Sequence, residues 1–159
     1  MYSMFRGSTA FNSPIFTATA KVTSMDYMFY LATSFNQDVS SMSVGEVTTM
    51  NSMFYGATSF NSPIFTTTAK VTTMEHMFYV ATSFNQDVSG MNVGAVTKMD
   101  QMFESASVFN QDLCAWGTAM AAAPVPTVSS MFASTNCADT SNPNLASTPV
   151  APLCKATCP

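Results

Sequence analysis

Charge is what this chain has least of. Only 9% of its 159 residues are Asp, Glu, Lys or Arg, and five of these are cations, whereas an ordinary soluble domain carries roughly 25% charged residues. Binding to a nucleic-acid backbone or to an anionic membrane surface requires clustered cations. We therefore expect no nucleic-acid partner and no binding to an anionic membrane. The polar surface must be built from Ser, Thr, Asn and Gln.

Long apolar runs are equally scarce, although 47% of the residues are hydrophobic. No run reaches the roughly 18 residues that span a bilayer, and the first residues do not form a signal peptide. The single histidine, His76, has no Ser or Cys nucleophile motif near it and is expected to be solvated. We expect no membrane insertion in this segment, no enzyme activity, no cofactor and no metal.

An internal repeat dominates the sequence. A Met-Phe pair recurs at steps of 24 or 25 residues, with a last step of 29. The pairs begin at Met4, Met28, Met53, Met77, Met102 and Met131. After them, Phe-Asn-Ser-Pro-Ile-Phe (11–16, 60–65) alternates with Phe-Asn-Gln-Asp-Val-Ser (35–40, 84–89), which gives a larger period of 49 residues. Repeats this short can bury their apolar sides only against each other.

Each repeat is predicted to contain one short helix and one short strand. The apolar positions of a repeat have the spacing of one helix face; in one repeat they are Val47, Met50, Met53, Phe54 and Ala57. Thr72, three residues before Glu75, is expected to cap such a helix, and segments such as 38–42 and 14–17 are expected to form the strands. The predicted fold class is an α/β solenoid, a leucine-rich-repeat-like, right-handed stack of short parallel strands with short helices on the convex side.

Three recurring residue types each allow two interpretations. The asparagines of Phe-Asn are interpreted as a ladder of side-chain amides that bond the next repeat, with exposed turn residues as the alternative. Asp38, Asp87 and Asp112 are interpreted as turn caps rather than calcium ligands, because Pro14 and Pro63 replace them in alternate repeats. The M-x-x-M pairs are interpreted as core residues rather than copper ligands.

All four cysteines lie in the last third of the chain: Cys114, Cys137, Cys154 and Cys158. Two disulfides are expected, in one of three connectivities, since a zinc site would need paired short loops. The predicted organisation is tandem repeats over 1–107, the last repeat over 108–137 and a Cys- and Pro-rich cap tail over 138–159. Because Met1 aligns with Met25, inside a predicted helix, the chain is expected to be an N-terminally truncated piece of a longer protein.

The pattern V-T-x-M-x-x-M-F-x-x-A-x-x-F-N-Q-D, carried by residues 47–54 and by 96–99 running on to 109–112, resembles the BspA-like leucine-rich-repeat surface proteins, the repeat first noted in mycoplasma lipoproteins. The resemblance covers residues 1–137. Met42 and Met91 stand where the family usually places Trp, and Trp116 keeps it. The resemblance implies a secreted or cell-surface location and roles in adhesion or protein binding, and it implies no catalytic residues.

Two surfaces are candidates for binding. Tyr30, Tyr55 and Tyr79 follow Met-Phe in three successive repeats and are expected to be partly exposed, with packing between neighbouring helices as the alternative. Small polar residues of the expected strand face form the second candidate: Ser40, Ser41, Ser89, Thr17 and Thr66. The expected function is a protein- or glycan-binding or adhesion scaffold. A structural surface or wall component without a specific ligand and an ice-binding solenoid, suggested by the Thr-rich runs 17–19 and 66–68, are the alternatives.

Overall fold

The computed structural model describes residues 1–15, 19–122 and 124–158. Within these ranges, helical structure is confined to a 3-10 helix at Cys114–Trp116 that continues directly into a short α-helix, α1, at Gly117–Ala121. Turns, bends and irregular segments make up the rest of the described chain, and no extended β-strand is formed there. Among these residues, β-type pairing of backbone segments is limited to isolated bridges. These are Ser24–Thr49, Thr49–Thr73, Thr73–Lys98 and Lys98–Thr127, all parallel, and Asn144–Ala151, antiparallel.

The predicted α/β solenoid of leucine-rich-repeat type is therefore wrong. The segments expected to be helices are runs of turns, in which non-glycine residues such as Tyr27 (φ +58°) and Leu31 (φ +56°) adopt the left-handed conformation. A right-handed helix cannot pass through such residues. The threonines expected to cap helices instead reach the neighbouring repeat: the Thr72 hydroxyl donates to the Thr48 carbonyl at 3.1 Å. Segments 38–42 and the described part of 14–17 are not strands.

Backbone hydrogen bonds between consecutive repeats replace those expected inside helices. The N–H of Phe54 donates to the carbonyl of Met77 at 2.9 Å, where an α-helix would direct it to Met50. The N–H groups of Met50, Ser52 and Gly56 also reach the next repeat, at 2.7 to 3.1 Å. An isolated helix of about ten residues is marginal in water, whereas stacked repeats satisfy the same groups while burying their apolar sides.

The core consists of the recurring Met, Phe, Val and Ala side chains. Members from one repeat are Val47, Met50, Met53, Phe54 and Ala57, all fully buried. The phenylalanines form two columns that run through the stack. The first contains Phe5, Phe29, Phe54, Phe78, Phe103 and Phe132, and the second contains Phe11, Phe35, Phe60, Phe84 and Phe109. The prediction that the Met-Phe pairs form the buried side of a repeat is confirmed for the pairs from Met28 onward, whereas Met4 of the first repeat is 54% exposed. The core interpretation of the M-x-x-M methionines is confirmed as well.

The asparagine ladder is also confirmed. It consists of Asn12, Asn36, Asn61, Asn85 and Asn110. The side-chain oxygen of each of the first four accepts the backbone N–H of the next, at 2.8 to 2.9 Å. Asn61 is exposed, which shows that the ladder lies at the surface. The two interpretations of these asparagines, as a ladder and as exposed turn residues, are therefore compatible. Glutamine side chains add hydrogen bonds to the ladder. The Gln86 amide, for example, donates to the Asn61 carbonyl at 2.8 Å and to the Asn61 side-chain oxygen at 3.1 Å.

Replacing Asn61 with Ala is expected to lower the free energy of unfolding by about 1 kcal/mol, because the N–H of Asn85 loses its acceptor and the Gln86 amide keeps only the Asn61 backbone carbonyl. The matched control is Asn61→Asp, which keeps an acceptor oxygen in the same place and should lose much less. Urea denaturation followed by fluorescence measures both. Equal losses in the two variants would show that the ladder does not act through this oxygen.

The C-terminal segment closes the last repeat through two disulfides, Cys114–Cys158 and Cys137–Cys154. The prediction of two disulfides is confirmed, and the structure selects one of the three possible connectivities. Trp116, two residues after Cys114, is buried, and its indole N–H donates to the Ser89 carbonyl at 3.1 Å. Leu153 is fully buried and belongs to the same hydrophobic core, so the tail contributes to the core at this end of the stack.

Candidate functional site

The tyrosine row, Tyr30, Tyr55 and Tyr79, is the principal candidate site. Each tyrosine follows a buried Met-Phe pair, and neighbouring repeats are held in register because the N–H of Gly56 donates to the Tyr79 carbonyl at 2.7 Å. The ring centroids of Tyr30 and Tyr55, and of Tyr55 and Tyr79, are both 4.7 Å apart, with planes inclined by 20° and 16°. All three side chains are partly exposed. Both faces of Tyr55 are therefore covered by its neighbours, which leaves its edge and hydroxyl to contact a ligand.

A cationic side chain lies next to Tyr30, at one end of the tyrosine row. The guanidinium of Arg6 lies 4.9 Å from the ring centroid of Tyr30 and 5.5 Å from that of Tyr27, which is the geometry of a cation–π interaction. Arg6 and Tyr27 were not among the predicted site residues. The repeat period could have identified Arg6, because Arg6 precedes Tyr30 by one repeat of 24 residues and therefore occupies the equivalent position.

A half-buried polar group lies beside the other end of the row. The His76 ring contacts Tyr79 edge-on, with centroids 5.8 Å apart, and its Nε2 lies 2.8 Å from the side-chain oxygen of Gln101. The Gln101 amide donates to Glu104 at 2.7 Å. The prediction of a solvated His76 is wrong in this respect: stacking of the repeats covers part of the ring and gives it a partner.

The hydroxyl of the central tyrosine, Tyr55, is perturbed by its surroundings. Burial raises the pKa of Tyr55 above its ordinary value, and the neighbouring phenols of Tyr30 and Tyr79 add to the rise because adjacent phenolates would repel. Ionisation of Tyr55 therefore requires a higher pH than that of an ordinary tyrosine. A phenolic hydroxyl can both donate and accept hydrogen bonds, so the row offers groups of both kinds to a ligand.

The small polar residues of the second candidate do not line a concave sheet, because the described residues form no sheet there. Ser40, Ser41 and Thr66 are exposed and Ser89 is partly exposed, while Thr17 lies outside the described residues. The Thr-rich run 66–68 is not uniformly exposed either. Thr68 is fully buried, and its hydroxyl donates to the Asn92 carbonyl of the next repeat at 2.9 Å.

The recurring aspartates cap turns, as predicted. A side-chain oxygen of Asp38 accepts the N–H of Ser40, and Asp87 accepts that of Ser89, at 2.8 and 2.9 Å. Asp112 accepts the N–H of Cys114 at 2.9 Å. The side-chain hydrogen bond from Ser40 lowers the pKa of Asp38, and the backbone hydrogen bond from Ser89 does the same for Asp87.

The expected alternation of aspartate with proline does not hold for every pair of repeats. Asp87 and Asp112 belong to consecutive repeats, since Phe-Asn-Gln-Asp occurs at both 84–87 and 109–112 without an intervening proline type. Both aspartates line a cavity of about 400 Å³, together with Ser89 and Gln111. Among the residues that the structure describes, no group of three or more His, Cys, Asp or Glu is placed to hold a metal ion.

A family model described as "Mycoplasma protein of unknown function, DUF285" matches residues 1–68 and 65–148. The two matches overlap at residues 65–68, as can happen when a family model meets a tandem array of repeats, and they are compatible with the resemblance to the mycoplasma-type repeat. No curated protein and no solved structure matches the chain. In the described part of the chain, no helix has the length and apolar character needed to cross a membrane. The two disulfides are compatible with an extracellular location.

Proposed function

This chain belongs to the family described as "Mycoplasma protein of unknown function, DUF285", and we propose that it acts as an extracellular or cell-surface scaffold that binds proteins or glycans through the tyrosine row. The observation that carries the proposal is the regular stacking of Tyr30, Tyr55 and Tyr79 at 4.7 Å on a partly exposed face. Stacked repeats supply a rigid surface on which identical contact groups recur at a constant step.

The physical basis is preorganisation. Tyrosine offers a large contact area and a polar tip, and it has few rotatable bonds to immobilise when a ligand binds. In the row each ring is already held by its neighbours, so most of that entropy has been lost on folding rather than on association. An edge with closely spaced hydroxyls can hydrogen-bond to peptide groups or to sugar hydroxyls.

The proposed location rests on the cysteines. All four are paired, and disulfides persist in oxidising compartments such as the cell exterior. Adhesion is the role that a surface location and a ligand-binding face together favour.

Binding can be tested with the fluorescently labelled, disulfide-intact chain on arrays of glycans and of synthetic peptides. We expect a subset of probes to bind, and Tyr55→Ala to weaken that binding at least tenfold, because truncation of a central aromatic contact typically costs about 2 kcal/mol. Tyr2→Ala is the matched control: Tyr2 is 63% exposed but lies outside the row, so its loss should change affinity less than twofold. Thermal unfolding verifies that both variants are folded.

Two results would contradict the proposal. Binding that Tyr55→Ala leaves unchanged would show that another surface is responsible. An absence of binding on both arrays would favour a structural component of the surface or wall without a specific ligand.

A further inference from the structure

We propose that the tyrosine row is also a site of oxidative modification, at which tyrosines of consecutive repeats are coupled to dityrosine. The product would join Tyr30 to Tyr55 or Tyr55 to Tyr79 within one chain. This inference goes beyond the proposed binding function and does not depend on it, because it concerns the reactivity of the rings with each other.

Proximity and alignment distinguish these two pairs from the other tyrosine contacts. Their centroids are 4.7 Å apart and their planes are within 20° of parallel. The two rings of each pair are therefore close together and nearly parallel, as expected of residues that occupy the same place in successive repeats. The pairs Tyr2–Tyr27 and Tyr27–Tyr30 are 5.7 Å apart and inclined by 69° and 59°, which does not bring corresponding ring carbons together.

The register of the row is maintained by the backbone. The N–H of Leu31 donates to the Tyr55 carbonyl at 2.7 Å, and the N–H of Gly56 donates to the Tyr79 carbonyl at the same distance. Two reacting groups held this way meet without the entropic cost of a bimolecular encounter. The side chains are also partly exposed, so a dissolved oxidant can reach them. The buried Phe columns share the stacking but lack the hydroxyl that makes a ring oxidisable by one electron.

The reaction requires an oxidant, and the class we name is a haem peroxidase with hydrogen peroxide. Each of two phenols loses one electron and its hydroxyl proton, which gives two phenoxyl radicals. Their unpaired spin resides partly on the ring carbons ortho to oxygen, and a carbon–carbon bond forms between one such carbon of each ring. The hydrogen on each of these carbons then moves to oxygen and restores both phenols. Overall the pair loses two hydrogen atoms, and the peroxide is reduced to two water molecules.

The consequence would be a covalent tie between adjacent repeats. It closes a loop of 24 or 25 residues, the distance along the chain from Tyr55 to Tyr79 or Tyr30. A cross-link of this kind restricts the unfolded chain and so favours the folded stack. Repeats distant from the disulfides, which lie only in the C-terminal part, would gain a link of their own.

The experiment treats the dilute, disulfide-intact chain with a haem peroxidase and hydrogen peroxide. Monomer is isolated, its dityrosine fluorescence is recorded, and linked peptides are identified by mass spectrometry after proteolysis. We expect monomer that has lost two hydrogen atoms and carries one link, either Tyr30–Tyr55 or Tyr55–Tyr79, and that has a higher midpoint of thermal unfolding. Dityrosine found only in covalent dimers, or intramolecular links that involve Tyr2 as often as Tyr55, would overturn the inference.

Tyr55→Phe is the decisive variant because it preserves the ring and its packing but removes the hydroxyl. It should abolish the intramolecular product, since Tyr30 and Tyr79 are two repeats apart. Tyr2→Phe, the matched control, should leave that product unchanged. Intramolecular dityrosine that persists in Tyr55→Phe would contradict the assignment. Failure of this reaction leaves the binding proposal intact, because binding is measured on unoxidised protein with Tyr55→Ala.

Discussion

Replacing Phe54 with alanine is expected to lower the free energy of unfolding by about 3–5 kcal/mol. Phe54 is fully buried, and its ring is stacked on three others: Phe29 at 5.3 Å, Phe78 at 5.5 Å and Phe60 at 4.1 Å between centroids. Truncation removes the apolar contact and leaves a cavity that three flat rings, each held by its own repeat, cannot collapse to fill. A loss of this size is a large share of the roughly 5–15 kcal/mol that stabilises a typical domain.

The control for this substitution is Val108→Ala, at a side chain that is 44% exposed in a later repeat. Its effect should stay within about 0.5 kcal/mol, as for most surface changes. Equilibrium urea denaturation of both variants gives the comparison. If Phe54→Ala cost no more than Val108→Ala, the rings could not be packed as described.

Removal of the disulfides is the second change with a large expected effect. In the chain-entropy estimate, loss of Cys114–Cys158, whose cysteines are 44 residues apart, costs about 4 kcal/mol. Loss of Cys137–Cys154, with a separation of 17, costs about 3 kcal/mol. Each bridge is removed by a pair of Cys→Ser substitutions, and stability is read from thermal and urea unfolding.

Removal of a disulfide should destabilise the C-terminal tail before the rest of the stack. Without Cys137–Cys154, the backbone bonds from Ala138 to the Cys154 carbonyl and from Leu113 to the Leu153 carbonyl lose their support. Amide hydrogen exchange should therefore speed up at Leu113 before it does so at Phe54. The expectation fails if both double Ser variants unfold at the wild-type midpoint, or if protection is lost evenly along the chain.

Sequence periodicity identified the buried residues correctly but assigned the wrong backbone. A spacing of three and four residues predicts which side chains lie on one side of the chain. Both a helix and a run of turns can place side chains in this way. It does not state whether the N–H of Phe54 bonds Met50 or Met77. Two glycines of the sequence indicated a backbone other than a helix. Gly7 and Gly56 stand at equivalent positions of their repeats, and both have positive φ in the structure (+69° and +64°), which is unusual inside a helix.

The candidate site was predictable in part for the same reason. Equal spacing placed Tyr30, Tyr55 and Tyr79 in one row, because a residue that recurs with the repeat must recur in space once repeats stack. The contact of His76 with Tyr79 depends on the detailed path of the turns, because no residue of its kind recurs in the neighbouring repeats. Sequence alone also could not select the disulfide connectivity, since that depends on how the tail folds back over the last repeat.

The most direct test of the stacked arrangement is an NMR measurement of scalar coupling across hydrogen bonds. Such a coupling identifies the donor and acceptor atoms individually. Our description predicts a coupling between the amide nitrogen of Phe54 and the carbonyl carbon of Met77, which lies in the next repeat. A coupling from Phe54 to Met50, within its own repeat, would show a helix at this position and contradict the structure on which the tyrosine row depends.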